Sequence, residues 1–152
     1  MRRSRKYHGS FVRAPDTAIQ FHNYLEKSSG DRNESVLICR RQDDAIAGVV
    51  NLNEIVRGLF KSTYLGYYGT VECAGQGLMT EGLDLALRYA FRKLGLHRAE
   101  ANIQPDNLAS IELVKRMGFR LEGYSPRYLK IAGAWRDHER WAILREDWEN
   151  KR

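Results

Sequence analysis

A chain of 152 residues with 43% hydrophobic content is long enough to bury the core of one domain without staples. Its only cysteines, Cys39 and Cys73, come without Cys-x-x-Cys or His-x-His spacing, which excludes a disulfide framework and leaves no metal site to expect. The net charge of +6 is concentrated in residues 1–13, where Arg2, Arg3, Arg5, Lys6 and Arg13 stand without an acid, while the remaining 20 bases face 19 acids. This head is expected to be a solvated, mobile end that favours anionic surroundings such as a ribosome surface. No apolar run approaches the roughly 18 residues of a membrane span, and no apolar segment follows the basic start as it does in a signal peptide. A cytoplasmic protein without membrane contact is therefore expected.

Asp16 to Glu26 is predicted to be a short helix, capped by Asp16, with Ala18, Phe21 and Leu25 on one stripe. Ser35 to Arg40 and Ala45 to Leu52 are β-branched and apolar, and Gln42, Asp43 and Asp44 between them read as a hairpin turn. Ser62 to Thr70 is a third strand, rich in Tyr, in which Gly66 and Gly69 signal a bulge or a close backbone approach. A helical period follows, with Met79, Leu83, Leu87, Ala90 and Leu94 on one stripe and Gly95 as its stop. Arg98 to Ile103 alternates as a strand does. Pro105, Asp106 and Asn107 open a second helix that runs to Met117 and ends at Gly118. Tyr128 to Ile131 and Trp135 to Leu144 form a hairpin across Ala132 and Gly133. The order predicts a single mixed α+β domain over residues 1–152, with a central, mainly antiparallel sheet flanked by helices.

Between the third strand and the following helix lies Glu72-Cys-Ala-Gly-Gln-Gly77. At a helix N-terminus several N–H groups lack partners and the dipole is positive, so an anion is stabilised there without a basic side chain. Gly75 and Gly77 remove the Cβ atoms that would hold a phosphate away. The same two glycines also suit a plain turn, and neither a Walker lysine nor a third Rossmann glycine follows.

The loop, together with Asn107-Leu-Ala-Ser110 and Gly118-Phe119 further on, resembles the GNAT superfamily of acyl-coenzyme A dependent N-acetyltransferases. The segments Val50 to Gly58, Tyr64 to Tyr67, Leu96 to Asn102 and Tyr128 to His138 are similar to the ribosomal-protein N-terminal acetyltransferases, the RimJ and RimL group. This resemblance covers roughly residues 35–148. It implies the GNAT fold, with the initial strand and helix missing or replaced, and acetyl-CoA as donor. It implies that backbone groups of Tyr67, Tyr68 and Gly69 pair with the pantetheine arm. Amides of Gly75, Gln76, Gly77, Leu78 and Met79 would hold the pyrophosphate, Asn107 would bond the pantetheine or cap its helix, and Ser110 would lie near the sulfur. Glu72 departs from the family's Gln or Arg. Val114 departs from the Tyr that protonates the leaving thiolate in many relatives.

The expected catalytic groups are Ser110, donating to the thiolate, and the strand amide at Tyr68, serving the oxyanion. Glu54, Glu100 and His138 are candidates for the base, with Glu100 also readable as a solvated strand residue. His22 and His97 read as structural, and Tyr67 and Trp135 as core or pocket wall. The acceptor implied is a protein or peptide N-terminus, a ribosomal protein in particular, with no nucleic-acid readout, in a monomer or homodimer. A polyamine or amino-sugar acetyltransferase, or a non-catalytic acyl-coenzyme A binding module, is the alternative.

Overall fold

The computed structural model describes residues 2–151. In chain order it comprises α1 (Arg5–His8), α2 (Ala18–Ser28), β1 (Glu34–Cys39), β2 (Ile46–Val56), β3 (Ser62–Gly69), α3 (Leu78–Arg88), β4 (Arg98–Ile103), α4 (Leu108–Met117), β5 (Arg120–Ile131), β6 (Ala134–Leu144) and α5 (Arg145–Asn150). The strands form one sheet in the order β1-β2-β3-β4-β6-β5. Every neighbouring pair is antiparallel except β3 and β4, which run parallel. This is the mixed α+β architecture that the sequence leads one to expect.

The core follows from the two periodicities. Val50 and Leu52 of β2, Ala99 and Ala101 of β4 and Ile143 of β6 are buried in one cluster with Leu83, Leu87, Phe91 and Val114 of the helical segments. Close approach at α3 comes from Gly82, where a Cβ would collide with the Ile38 side chain on β1. The α3 period continues as a π-helical turn over Tyr89–Lys93, closed where Leu94 N donates to Tyr89 O at 3.1 Å. Gly95 then leaves the helix at φ +68°, a conformation that costs a residue with a Cβ more than glycine.

Two expectations are corrected and one is refined. The cap of α2 is Thr17, whose hydroxyl accepts from Gln20 N at 3.2 Å, whereas Asp16 uses its own N–H to bond the Gln20 side chain. The stripe expected on α2 is half exposed at Phe21 and Leu25, and the helix reaches the sheet through Tyr24, whose hydroxyl donates to Asn51 Oδ1 at 2.6 Å. The final hairpin begins eight residues before Tyr128, at Arg120, because β5 absorbs Gly123, Ser125 and Pro126 in two register irregularities, with Arg127 at φ +49°. Glycine and proline read as turn signals, yet bulges on an edge strand accommodate both.

Candidate active site

The parallel register of β3 and β4 holds for only three pairs, Ser62 with Arg98, Thr63 with Ala99 and Tyr64 with Glu100. Beyond Tyr64 no β4 partner continues the ladder, and a gap opens beside the second half of β3. On its other side β3 remains paired with β2 as far as Thr70, whose N–H donates to Ala47 O at 2.8 Å. Antiparallel ladder bonds alternate along a strand, so Tyr68 directs its backbone groups to β2, while Tyr67 and Gly69 direct theirs into the gap. The Tyr68 amide, expected to serve an oxyanion, is thus turned towards β2 rather than into the gap.

After β3 the chain makes a 3-10 turn at Val71–Cys73 and enters α3 through Gly75 and Gly77, at φ +73° and +77°. Thr80 and Glu81 donate to Gly77 O at 3.0 and 3.1 Å. Among the described residues the amides from Gly75 to Met79 have no hydrogen-bond partner, and a Cβ built at Gly75 or Gly77 would stand in open space. Free amides, a helix N-terminus and a cradle that any side chain would fill make a donor set suited to a diphosphate. The neighbouring side chains serve structure. Gln76 Nε2 donates to Glu72 O at 3.0 Å, Leu78 and Met79 pack against the core, and a Cβ at Gly69 would lie 3.1 Å from Met79 Cγ. That contact explains the glycine in β3. Cys73 is buried within the core cluster and Glu72 is exposed.

Asn107 caps α4, its Oδ1 accepting from Ser110 N at 3.3 Å. The Ser110 hydroxyl lies 2.7 Å from the Tyr67 hydroxyl, a pairing across 43 residues. Burial raises the Tyr67 pKa to about 12, against a smaller opposing effect of the Ser110 hydrogen bond, so the phenol keeps its proton at neutral pH. Val114 is fully buried in the core and offers no acid. Tyr67, read from sequence as wall, thus places a hydroxyl on the residue expected to serve the sulfur.

Two cavities meet here. One, of about 520 Å³, is bounded by Gly69, Gly75, Gly77 and Met79, and the other, of about 570 Å³, by Glu54, Leu65, Asn102, Tyr128, Leu129 and His138. Tyr67, Asn107 and Ser110 line both, as do Phe11 and Val12. A donor in the first and an acceptor in the second would bring their reacting atoms together at Ser110.

The three candidate bases separate clearly. Glu54 lines the second cavity but is held by Arg32 at 2.7 Å. Glu100 is not solvated; only 8% of it is exposed, it pairs with Arg98 at 2.8 Å and it lines neither cavity. His138 is 3% exposed and lines the second cavity. Its Nδ1–H donates to Arg136 O at 2.9 Å, which leaves Nε2 as the nitrogen with a lone pair in the neutral ring. His22 and His97 form surface contacts with Glu26 and Glu146, and Trp135 is largely exposed outside both cavities.

The basic N-terminal segment, expected from its charge to be a solvated end, is instead packed against the sheet at Ser4 and His8. Ser4 and His8 are buried; Ser4 Oγ accepts from Val71 N at 3.1 Å, and His8 Nε2–H donates to Gly69 O at 2.7 Å. The His8 ring also meets Tyr68 edge-on at 5.5 Å. No local sequence signal marks these contacts, since the partners are more than 60 residues apart.

A family described as the acetyltransferase (GNAT) domain matches residues 2–120. The probable N-acetyltransferase YjcK of Bacillus subtilis is 38% identical over 124 residues, 82% of this chain and 68% of that protein. Ribosomal protein uS5-alanine N-acetyltransferase of Escherichia coli is 46% identical over 103 residues, 68% of this chain but only 53% of that protein, so the chain spans about half the length of this relative. Mycobacterium smegmatis RimJ in complex with CoA-disulfide superposes with a TM-score of 0.81 at 26% identity, covering 93% of this chain and 72% of that one. With the free-amide loop before α3, the interrupted parallel seam and the capped Asn107-to-Ser110 turn in place, the chain belongs to the GNAT family of acetyltransferases, enzymes that take acetyl from acetyl-coenzyme A.

Proposed function

We propose that this enzyme acetylates the N-terminal α-amine of a protein, with a ribosomal protein as acceptor, in the cytoplasm. The observation that carries this reading is the lining of the second cavity, taken here as the acceptor cavity. Glu54 is its only carboxylate among the described residues, and Arg32 neutralises it. A polyamine with several positive charges calls for several carboxylates, whereas a single amine beside Leu65, Tyr128 and Leu129 does not. An α-amine has a pKa of about 7.7 to 8.0, against about 10.4 for a lysine, and so offers a neutral nitrogen near pH 7. The likeness to the uS5-alanine enzyme supports the same acceptor class.

Bound acetyl-coenzyme A supplies an acetyl group already activated as a thioester. The amides from Gly75 to Met79 hold the diphosphate end, and the gap-facing backbone of Tyr67, with the N–H of Gly69 whose carbonyl already accepts from His8, aligns the arm and offers an N–H for the oxyanion. Ser110 donates its hydroxyl hydrogen to the departing sulfur. His138 Nε2 takes the proton released by the acceptor amine. Leu65 and Ile103 exclude water from the acceptor cavity, whose wall they share.

Peptides with free Ala, Ser or Thr N-termini, an N-blocked peptide, spermidine and an aminoglycoside, each incubated with labelled acetyl-coenzyme A, test the reading by mass spectrometry. Label is expected on free peptide N-termini alone. Label confined to spermidine or the aminoglycoside, or on nothing, overturns it. Ser110→Ala is expected to lower kcat about tenfold or more with KM for acetyl-coenzyme A nearly unchanged; an unaltered kcat removes Ser110 from the mechanism.

A further inference from the structure

We infer that Tyr67 is a positioning residue for acetyl transfer: its phenol donates a hydrogen bond to Ser110 Oγ and so leaves the Ser110 hydrogen free to point at the departing sulfur. The inference rests on the role of Ser110 proposed above and adds the residue that orients it.

A serine hydroxyl has one hydrogen to give and two lone pairs to receive with. At 2.7 Å from Tyr67 it either donates or accepts. Phenols are the stronger acids, and the better donor normally gives its hydrogen. Tyr67 cannot play acceptor as a phenolate, because burial holds its proton well beyond neutral pH. With Tyr67 as donor, the Ser110 hydrogen has no other acceptor among the described residues, since this is the only bond its Oγ makes. In the first turn of a helix such a hydroxyl would otherwise rotate back to a main-chain carbonyl. The serine backbone is fixed as well, by the bond from Ser110 N to Asn107 Oδ1.

The site needs this because Val114 supplies no hydroxyl; the hydroxyl comes instead from β3, on the wall shared by both cavities. The balance of the step is simple. The amine nitrogen bonds to the carbonyl carbon, the carbon–sulfur bond breaks with its electron pair going to sulfur, and the amine proton goes to His138 Nε2. Ser110 hydrogen-bonds the sulfur, and Tyr67 keeps its own proton throughout. No further reactant is required.

A double-mutant cycle with the best acceptor of the panel above tests the inference. Tyr67→Phe keeps the ring and its packing and removes only the hydroxyl. It is expected to lower kcat about tenfold, with the dissociation constant for acetyl-coenzyme A within about twofold of wild type. In a Ser110→Ala background the same change is expected to cost less than about twofold, because the hydroxyl has nothing left to orient. A purely structural role would give the same loss in both backgrounds, and that result overturns the inference. An unimpaired Tyr67→Phe beside an impaired Ser110→Ala overturns it alone. An unimpaired Ser110→Ala overturns the role of Ser110 and this inference together.

Discussion

With acetyl-coenzyme A at about one hundred times its dissociation constant, the wild-type protein is expected to melt roughly 5 to 10 °C higher than alone, and Gly77→Trp is expected to lose that gain. A ligand held only by the folded state adds about 2.7 kcal/mol at this excess, and a domain of this size gains about 2 to 4 °C per kcal/mol. Gly77 sits at φ +77° with open space where a Cβ would go, so the indole would fill the cradle beneath the free amides. Backbone strain alone would cost about 1 to 2 kcal/mol without touching the ligand. Gly58→Trp controls for it, since Gly58 has a comparable φ of +75° in open space and lines neither cavity. The control is expected to melt lower yet keep the full shift. A Gly77→Trp protein that is stabilised as much as wild type would falsify the cradle.

The largest effect on stability is expected at Phe91. Its side chain is fully buried, with its ring 5.7 Å from that of Trp148. Trp148 in turn donates from Nε1 to Asp84 Oδ1 at 2.8 Å, and the Arg92 guanidinium lies 5.4 Å from its ring centre. One side chain therefore joins the π-helical turn, α3 and α5. Phe91→Ala should destabilise by about 3 to 5 kcal/mol, lowering the melting temperature by roughly 6 to 20 °C. Calorimetry or circular dichroism measures this directly; a loss under about 1 kcal/mol would mean that α5 carries little of the core.

Much of this was legible in the sequence where a signal is local. The bounds of β4 are those that its alternation predicts, and α4 lies between its predicted cap, Asn107, and its terminator, Gly118 at φ +91°. One turn of chain encodes each of these. The glycine turn that opens α3 was readable for the same reason, with Gly75 and Gly77 at positive φ, and the family motifs then tied it to Asn107 and Ser110. What escaped depends on distance or on competition. The bond between Tyr67 and Ser110, and that from His8 to Gly69, join residues whose separation only the folded sheet closes. Glu100 looked solvated because alternation assigns one face of a strand to water; Arg98 beside it supplies the charge that lets a carboxylate be buried. Thr17 and Asp16 are both good caps, and nothing in the local sequence ranks them. Helix α5 went unread because six residues give too short a period to register.

The early end of the parallel seam gives the sheet an inner margin as well as its two outer ones. At an outer margin, unpaired main-chain groups invite any passing strand; here, Gly69 O apart, which His8 already bonds, they face a cavity walled by Tyr67, Asn107 and Ser110. On the proposed reading, recognition of the donor is then entrusted to main-chain atoms, which most point substitutions other than proline leave in place. Side chains across the junction that transfer no proton, at positions such as Tyr128, Leu129 and Ile131, are left comparatively free to drift. Descendants of such a scaffold could therefore exchange one acceptor for another while their donor stays the same.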